Sequence, residues 1–355
     1  MVTTANIHST AIIADTVSFE EDVTVGAYAI LTGNITVGRG CRIDAHAVLE
    51  GDIELGPGCV VESQARIEGQ VTLAEEVVLK SSCKLVGSPQ VYIGKQTVVD
   101  SFTTIQGRIK IGQNNQIHTS VLIYGITHIG DNNAFRHGCV IGVDNQDRKY
   151  AGEPTVTVVG NGNTFHEYIT MHRGTEQDGA TIELDGETFT GVTSVGDENW
   201  LMNYLHIGHD VKVGSNTIIA NSTQLGGHAI IQNRAVLGAC TAVHHFCHIG
   251  ELALTGGGAL ITQDIPPYCT YSGGAMHGLN TLGLQRAGFA KETIRQLRNA
   301  YHAFYRSDVS NLDTRLENVE AIDCPEAKQF AEFIRDSNQS GLKHRRGVEQ
   351  KAGKK

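Results

Sequence analysis

Aromatic side chains make up only 6% of this chain, with one Trp among 355 residues. So thin a supply of large side chains, beside 41 glycines, suits a narrow core better than a broad globular one. No apolar run approaches the roughly 18 residues that read as a membrane span, so none is expected. The first residues, MVTTANIHSTAII, lack a basic stretch followed by an apolar core, so no secretory signal is expected. Positive charge is short too. A net charge of −10 argues against a nucleic-acid binder, and weakly against an acidic partner unless basic residues cluster locally. The eight cysteines are scattered, and Cys41, Cys59, Cys83 and Cys139 read as small core hydrophobes, not as disulfides or metal ligands. Together these absences point to the cytosol.

What the chain does have is a six-residue beat. An aliphatic residue or Phe recurs at every sixth position from Ile7 through Ile13, Phe19 and Val25 to Leu85. Small or β-branched residues follow four places later, as at Ala29, Ala47 and Ala65. The phase slips by two near Pro89, resumes from Ile93 to Ile141, and runs again from Val195 to Ile249. A short fixed period over about 240 residues means a solenoid. One hexad buries nothing alone. Three close a triangular coil of about 18 residues, and coils stack at about 4.8 Å to share one aliphatic core. The pattern predicts a parallel β-helix of hexapeptide repeats, an all-β solenoid. An ordinary β-sandwich would instead show period-two alternation with irregular turns.

From about Leu279 the beat gives way to helical signals. Ile294, Leu297, Ala300, Tyr301 and Phe304 form one stripe, and further helices are expected over 312–321 and from Pro325 to Arg335. The basic segment 341–355 is expected to fray. Lys291, Arg295, Arg298 and Arg306 occupy the other faces of the first helix, as a solvated surface or as a docking strip for an acidic protein. The beat breaks at 144–157 and at 180–193, where alternation around Asp185-Gly186 predicts a hairpin with a type I′ turn. It breaks again at 255–276. Loops that escape the packing constraint are where function tends to sit.

Seven of the sixteen histidines lie between His206 and His277. His206, His209, His228, His244 and His245 fall outside the inward positions, and their spacings of about one and two coils place them in one vertical row along a corner. Three neutral imidazoles can hold a catalytic zinc ion, although no two histidines here have four residues between them, as in metal-binding β-helices. Alternatively one imidazole is a general base near neutral pH, with Asp210 orienting His209 or serving only as a corner residue.

The ordered motifs KYAGEPT (149–155), HRGT (172–175), HIGHD (206–210), LGGH (225–228), TAVHHFC (241–247), QDIPPY (263–268) and GLQRAGF (283–289) carry a resemblance. The chain resembles the acyl-carrier-protein-dependent UDP-N-acetylglucosamine O-acyltransferases, which start lipid A synthesis in Gram-negative bacteria. The resemblance covers roughly 75–340. It implies a left-handed coil, His209 as general base for the sugar 3-hydroxyl, Asp210 as its acidic neighbour and the Gly227 N–H as oxyanion donor. It implies sugar contacts from Asp147 and His228, with Gln146 and Lys149 in the same loop. His206 and His244 would line the cleft, Asn280 and Arg286 would meet the uridine diphosphate end, and Gly257 would floor an acyl pocket left open for a longer 3-hydroxyacyl chain. It further implies a homotrimer and an acyl carrier protein as donor; Lys291, Arg295 and Arg298, on the basic face of the first helix, are the expected carrier footprint. No metal or organic cofactor is required, since the phosphopantetheine arm belongs to the carrier substrate.

The resemblance divides the chain into extra N-terminal coils (1–75), a catalytic β-helix (76–277), a helical domain (278–340) and the tail. Departures from the family pattern are those extra coils, the 180–193 hairpin, His245 in place of a usual Gln, Tyr204, and Ala239 in place of a frequent Gly. They leave open another UDP-sugar as acceptor, such as a 3-amino analogue. A metal-dependent hydratase and a non-catalytic solenoid are the remaining rivals.

Overall fold

The computed structural model describes residues 5–176, 179, 181–338 and 348. The chain divides after Glu198 into two compact units. Each is a left-handed parallel β-helix built from the hexapeptide beat, and the second also carries the helices.

In the first unit the strands Thr24–Val25, Arg42–Ile43, Val60–Val61 and Val78–Leu79 pair in parallel, each with its equivalent one coil on. Val78 then pairs with Val98, where an unbroken beat would have brought Gln96. The two extra residues bulge between Gly87 and Val91, which accounts for the phase slip. Ala134 pairs with Thr164, whereas a plain coil would have reached only Gly152. The excursion after Val143 takes up the difference. Inward positions such as Val25, Ile43, Val61 and Leu79 are almost wholly buried, and small residues such as Ala29, Ala47 and Ala65 fill the narrow corners. Burial pushes the thiols of Cys83 and Cys139 up to about 12, which keeps them protonated.

Two columns hold this unit in register. At one bend, Gly33, Gly51, Gly69, Gly87, Gly107 and Gly125 stand over one another within long strands such as Val48–Leu55. Gly51 has φ +137°, and a Cβ there would stand 2.9 Å from the Gly69 nitrogen and collide with its carbonyl oxygen. In the second column three asparagines sit inside the core. Asn115 Oδ1 accepts the Asn133 backbone N–H at 2.9 Å, and Asn133 Oδ1 accepts that of Asn163 at 2.9 Å. Each Nδ2 donates to a neighbouring carbonyl: Gly130, Gly160 and Gly196. Buried amides are tolerated because every member is satisfied.

The hairpin expected around Asp185-Gly186 forms from Thr181–Leu184 and Glu187–Thr190, with φ of 51° and 82° at the turn as a type I′ turn requires. It lies over the strand Thr104–Ile111. Arg108 donates two hydrogen bonds to Glu187 at 2.7 and 2.5 Å, Lys110 pairs with Asp185, and the Arg108 guanidinium sits 5.4 Å from the Phe189 ring. These cations hold both carboxyl groups below their ordinary range.

In the second unit three sets of two-residue strands stack in parallel, exemplified by Ile218–Ile219, Gln224–Leu225 and Ile230–Ile231. The coil closes on Cys269–Ser272, which pairs antiparallel with Ala275–Leu279. Four helices follow among the described residues: α1 (Thr281–Arg286), α2 (Lys291–Tyr305), α3 (Leu312–Glu320) and α4 (Pro325–Asn338). The predicted stripe is the buried face of α2. Ile294 and Leu297 pack with Leu252, Tyr268 and Leu284, which seals the helices to the end of the coil. Apart from Val348, the basic segment 341–355 lies outside the described residues.

Gly51→Ala is expected to lower stability by about 2 kcal/mol or more, since both the conformation and the space are denied to a Cβ. Thermal unfolding measures it, and an unchanged midpoint would remove the glycine column from the account of the fold.

Candidate active site

Four of the predicted residues meet on one corner of the second unit. The turn after strand His206–Ile207 places His209 and then Asp210, with Asp210 in the left-handed region at φ 59°. One coil on, Gly226–Ala229 repeats the turn, with His228 at φ 61°, and a further coil brings Phe246 at φ 64°. Backbone bonds fix the stacking: the His228 N–H donates to His209 O at 2.9 Å, and the Phe246 N–H to Gly227 O at 3.1 Å. The expected single row of histidines is therefore corrected. His209, Gly227 and His245 form one column, and Asp210, His228 and Phe246 the next. His244 stands over Gly226 and Gly208, and His206 lies on a strand in register with Gln224 and Ala242. His228 follows His209 by one coil plus one place, which moves it beside the column of His209 and not above it.

Asp210 is the centre of the arrangement. Its carboxylate is fully buried; Oδ2 accepts the His209 Nδ1–H at 2.9 Å and lies 3.5 Å from His228 Nε2. The His209 and His228 rings meet edge to face at 5.1 Å, and Phe246 stacks on His228 at 4.5 Å. With Nδ1 tied to Asp210, His209 presents Nε2. That edge lies over Gly227, where a Cβ would stand 2.5 Å from His209 Nε2. The Gly227 φ is outside the left-handed region, so glycine is needed here for the ring and not for the backbone. The N–H groups of Gly226, His228 and Ala229 are spent on backbone carbonyls, whereas that of Gly227 enters no hydrogen bond among the described residues. Donor atoms of His209, Asp210 and His228 lie within 4.8 Å of one another, so the same three could also hold a metal ion.

Other predicted residues fall elsewhere. Gln146, Asp147 and Lys149 lie on the excursion of the first unit, with Gln146 and Lys149 exposed. Asp147 Oδ1 accepts the Lys149 backbone N–H at 3.0 Å, a turn-forming contact. This loop is anchored by the HRGT segment, a part that sequence reasoning did not assign. Arg173, only 7% exposed, pairs with Asp144 at 2.9 Å and donates to Gly142 O, while Asn145 Nδ2 donates to Gly174 O. The motif itself was the available signal.

Gly257 is exposed, and a Cβ there would meet nothing nearer than Ala239 O at 3.4 Å. Asn280 is buried at the N-cap of α1: its Oδ1 accepts the Gly283 N–H at 3.0 Å and its Nδ2 donates to Leu252 O at 2.9 Å. Both ends of its amide are taken up inside the protein. Arg286 is exposed in the last turn of α1. On α2, Lys291 and Arg298 are exposed, whereas Arg295 forks onto Glu292 at 2.9 and 2.6 Å. Arg298 turns with His277, His302 and Arg306 onto a depression of about 270 Å³ whose charged lining is entirely basic.

Residues 264–348 match a family model described as UDP N-acetylglucosamine O-acyltransferase, domain 2, and residues 193–227 match the bacterial transferase hexapeptide repeat. The acyl-[acyl-carrier-protein]--UDP-N-acetylglucosamine O-acyltransferase of Alkalilimnicola ehrlichii is 40% identical over 207 residues, covering 57% of this chain and 76% of the relative. That of Halorhodospira halophila is 37% identical over 257 residues, covering 72% of this chain and 95% of the relative. The chain belongs to this acyltransferase family. The Arabidopsis UDP-N-acetylglucosamine acyltransferase structure matches with a TM-score of 0.60 at 27% identity, covering 96% of this chain and 99% of that one. The fold class, the hexapeptide repeat and the enzyme class expected from sequence all stand.

Gly227→Ala tests the contact between this glycine and the His209 ring. The fold is expected to survive, with unfolding within about 5 °C of the unaltered protein. Displacing the His209 ring is expected to cost about 100-fold in turnover. Full turnover would show that the ring need not lie over Gly227.

Proposed function

We propose that the chain moves a 3-hydroxyacyl group from acyl carrier protein to the 3-hydroxyl of UDP-N-acetylglucosamine, the first step of lipid A synthesis. The observation that carries the mechanism is the 2.9 Å bond from His209 Nδ1–H to the buried Asp210 carboxylate. It holds the tautomer in which Nε2 accepts a proton, and it stabilises the imidazolium that results. The sugar hydroxyl gives its proton to His209 Nε2 as its oxygen attacks the thioester carbonyl. The Gly227 N–H meets the developing oxyanion, in the place where a fixed donor lowers the barrier most. Collapse expels the carrier thiolate, which takes the proton back from His209, and the products are a 3-O-acyl UDP-sugar and free carrier.

In this reading His228 and Asp147 contact the sugar, with Gln146 and Lys149 alongside. His206 and His244 line the cleft, Arg286 meets the diphosphate, and Asn280 supports that end as the cap of α1. The basic depression beside Arg298, with Lys291, receives the acidic carrier. Three copies around a threefold axis give the histidine corner a facing wall, as a homotrimer working in the cytoplasm. The reaction needs no metal or organic cofactor. Stoichiometric zinc in the purified protein, with turnover lost on chelation, would favour the hydratase rival.

His209→Ala is expected to lose two to four orders of magnitude in kcat, roughly the contribution of a positioned base. The mass of the product after incubation with UDP-N-acetylglucosamine and 3-hydroxyacyl carrier checks the chemistry, and an amide or no acylated sugar would reject it. Gly257→Met is expected to fold normally, because its Cβ position is open, and to shift donor preference toward shorter acyl chains. An unchanged chain-length profile would take Gly257 out of the acyl pocket.

A further inference from the structure

His245 takes no part in the mechanism above, yet its ring is a neighbour of the His209 ring. It occupies the column of His209 and Gly227, one coil beyond the glycine and two beyond the base. Positions two coils apart are separated by about 9.6 Å along the stack. The rings nevertheless approach to 6.2 Å between centroids, with planes tilted by 37°, because Gly227 between them has no side chain. The His245 ring also meets His244 at 5.5 Å, so it is flanked on both sides. Three groups are thereby gathered on one stretch of the corner: the His209 ring, the Gly227 backbone and the His245 imidazole. At this spacing, nitrogens of both rings can reach groups on one tetrahedral carbon.

We propose that His245 is a further catalytic residue, whose imidazole N–H supplies the second hydrogen bond to the oxyanion opposite the Gly227 N–H. This rests on the reading of His209 as the base. One backbone donor satisfies one lone pair of the oxyanion and leaves the other to solvent. A donor fixed on the far wall satisfies it without reorganisation, the condition under which such groups contribute most. The proton count is unchanged. The hydroxyl proton passes to His209 and on to the departing thiolate, the new C–O bond forms and the C–S bond breaks, and His245 keeps its proton throughout. A neutral donor of similar reach therefore suffices at this position, and a titrating group is not needed.

The experiment compares His245→Ala and His245→Gln in the full-length protein, with UDP-N-acetylglucosamine and two small 3-hydroxyacyl donors, an alkyl and an aryl thioester. His245 is exposed, so both variants are expected to unfold at the temperature of the unaltered protein. His245→Ala is expected to lose roughly 100-fold in kcat with little change in either KM. His245→Gln is expected to recover most of that loss, because a carboxamide donates without titrating. The loss is expected to be the same for both donors. Unchanged kcat in His245→Ala, or a Gln variant as slow as Ala, would overturn the proposal. So would a loss that disappears with the aryl thioester, whose thiolate leaves readily, because the imidazole would then be acting on sulfur. His209→Ala measured alongside keeps the readings apart: full turnover there rejects the base, while the Ala-to-Gln ratio at 245 reports on the oxyanion alone.

Discussion

Each inward side chain of a coil rests on its equivalent in the coil before. That constraint governs the whole molecule. In the first unit it makes Leu31, Leu49, Ile67 and Leu85 one continuous strip of core, and it forces glycine wherever strands bend across each other too closely for a Cβ. It also converts any departure from the regular coil length into a visible outward event. The slip at Gly87 and the excursion after Val143 are absorbed outside the core, which resumes in phase on the far side. Interactions between neighbouring coils dominate such an architecture, so local insertions are cheap where they leave the stack intact.

The histidine corner follows from the same rule. A residue on a corner is placed by its own turn and also by what stands one coil above and below. His209 needs its neighbour to lack a side chain, and Asp210 needs a neighbour that can share a buried carboxylate. Gly227 and His228, adjacent in sequence, meet these two demands in adjacent columns. Two residues in the left-handed conformation, Asp210 and His228, are therefore a property of the repeat and not strain stored for chemistry, since most coils hold a residue there.

Most of the fold could be read from the chain because its signals are local. Ile93, Val99 and Ile105 announce the period within a short stretch, Asp185-Gly186 announces the hairpin, and the Ile294 to Phe304 stripe announces α2. What escaped depends on distance in sequence. Arg108 and Lys110 meet hairpin partners far along the chain, and Arg173 meets Asp144 across a whole excursion. The single histidine row failed for a finer reason: a full coil and a full coil plus one place look alike on paper but select different columns. Asn280 and Arg295 show the converse limit, because a polar residue expected to meet a ligand does not disclose that its own neighbours already satisfy it.

The asparagine column has a temporal side. In each pair the oxygen belongs to the earlier residue and the N–H to the later one, from Asn115 to Asn133 to Asn163. A finished coil thus offers an acceptor to the segment that the ribosome delivers next. Winding can proceed in the order of synthesis, with each rung templating its successor, much as a crystal face orders the layer that lands on it.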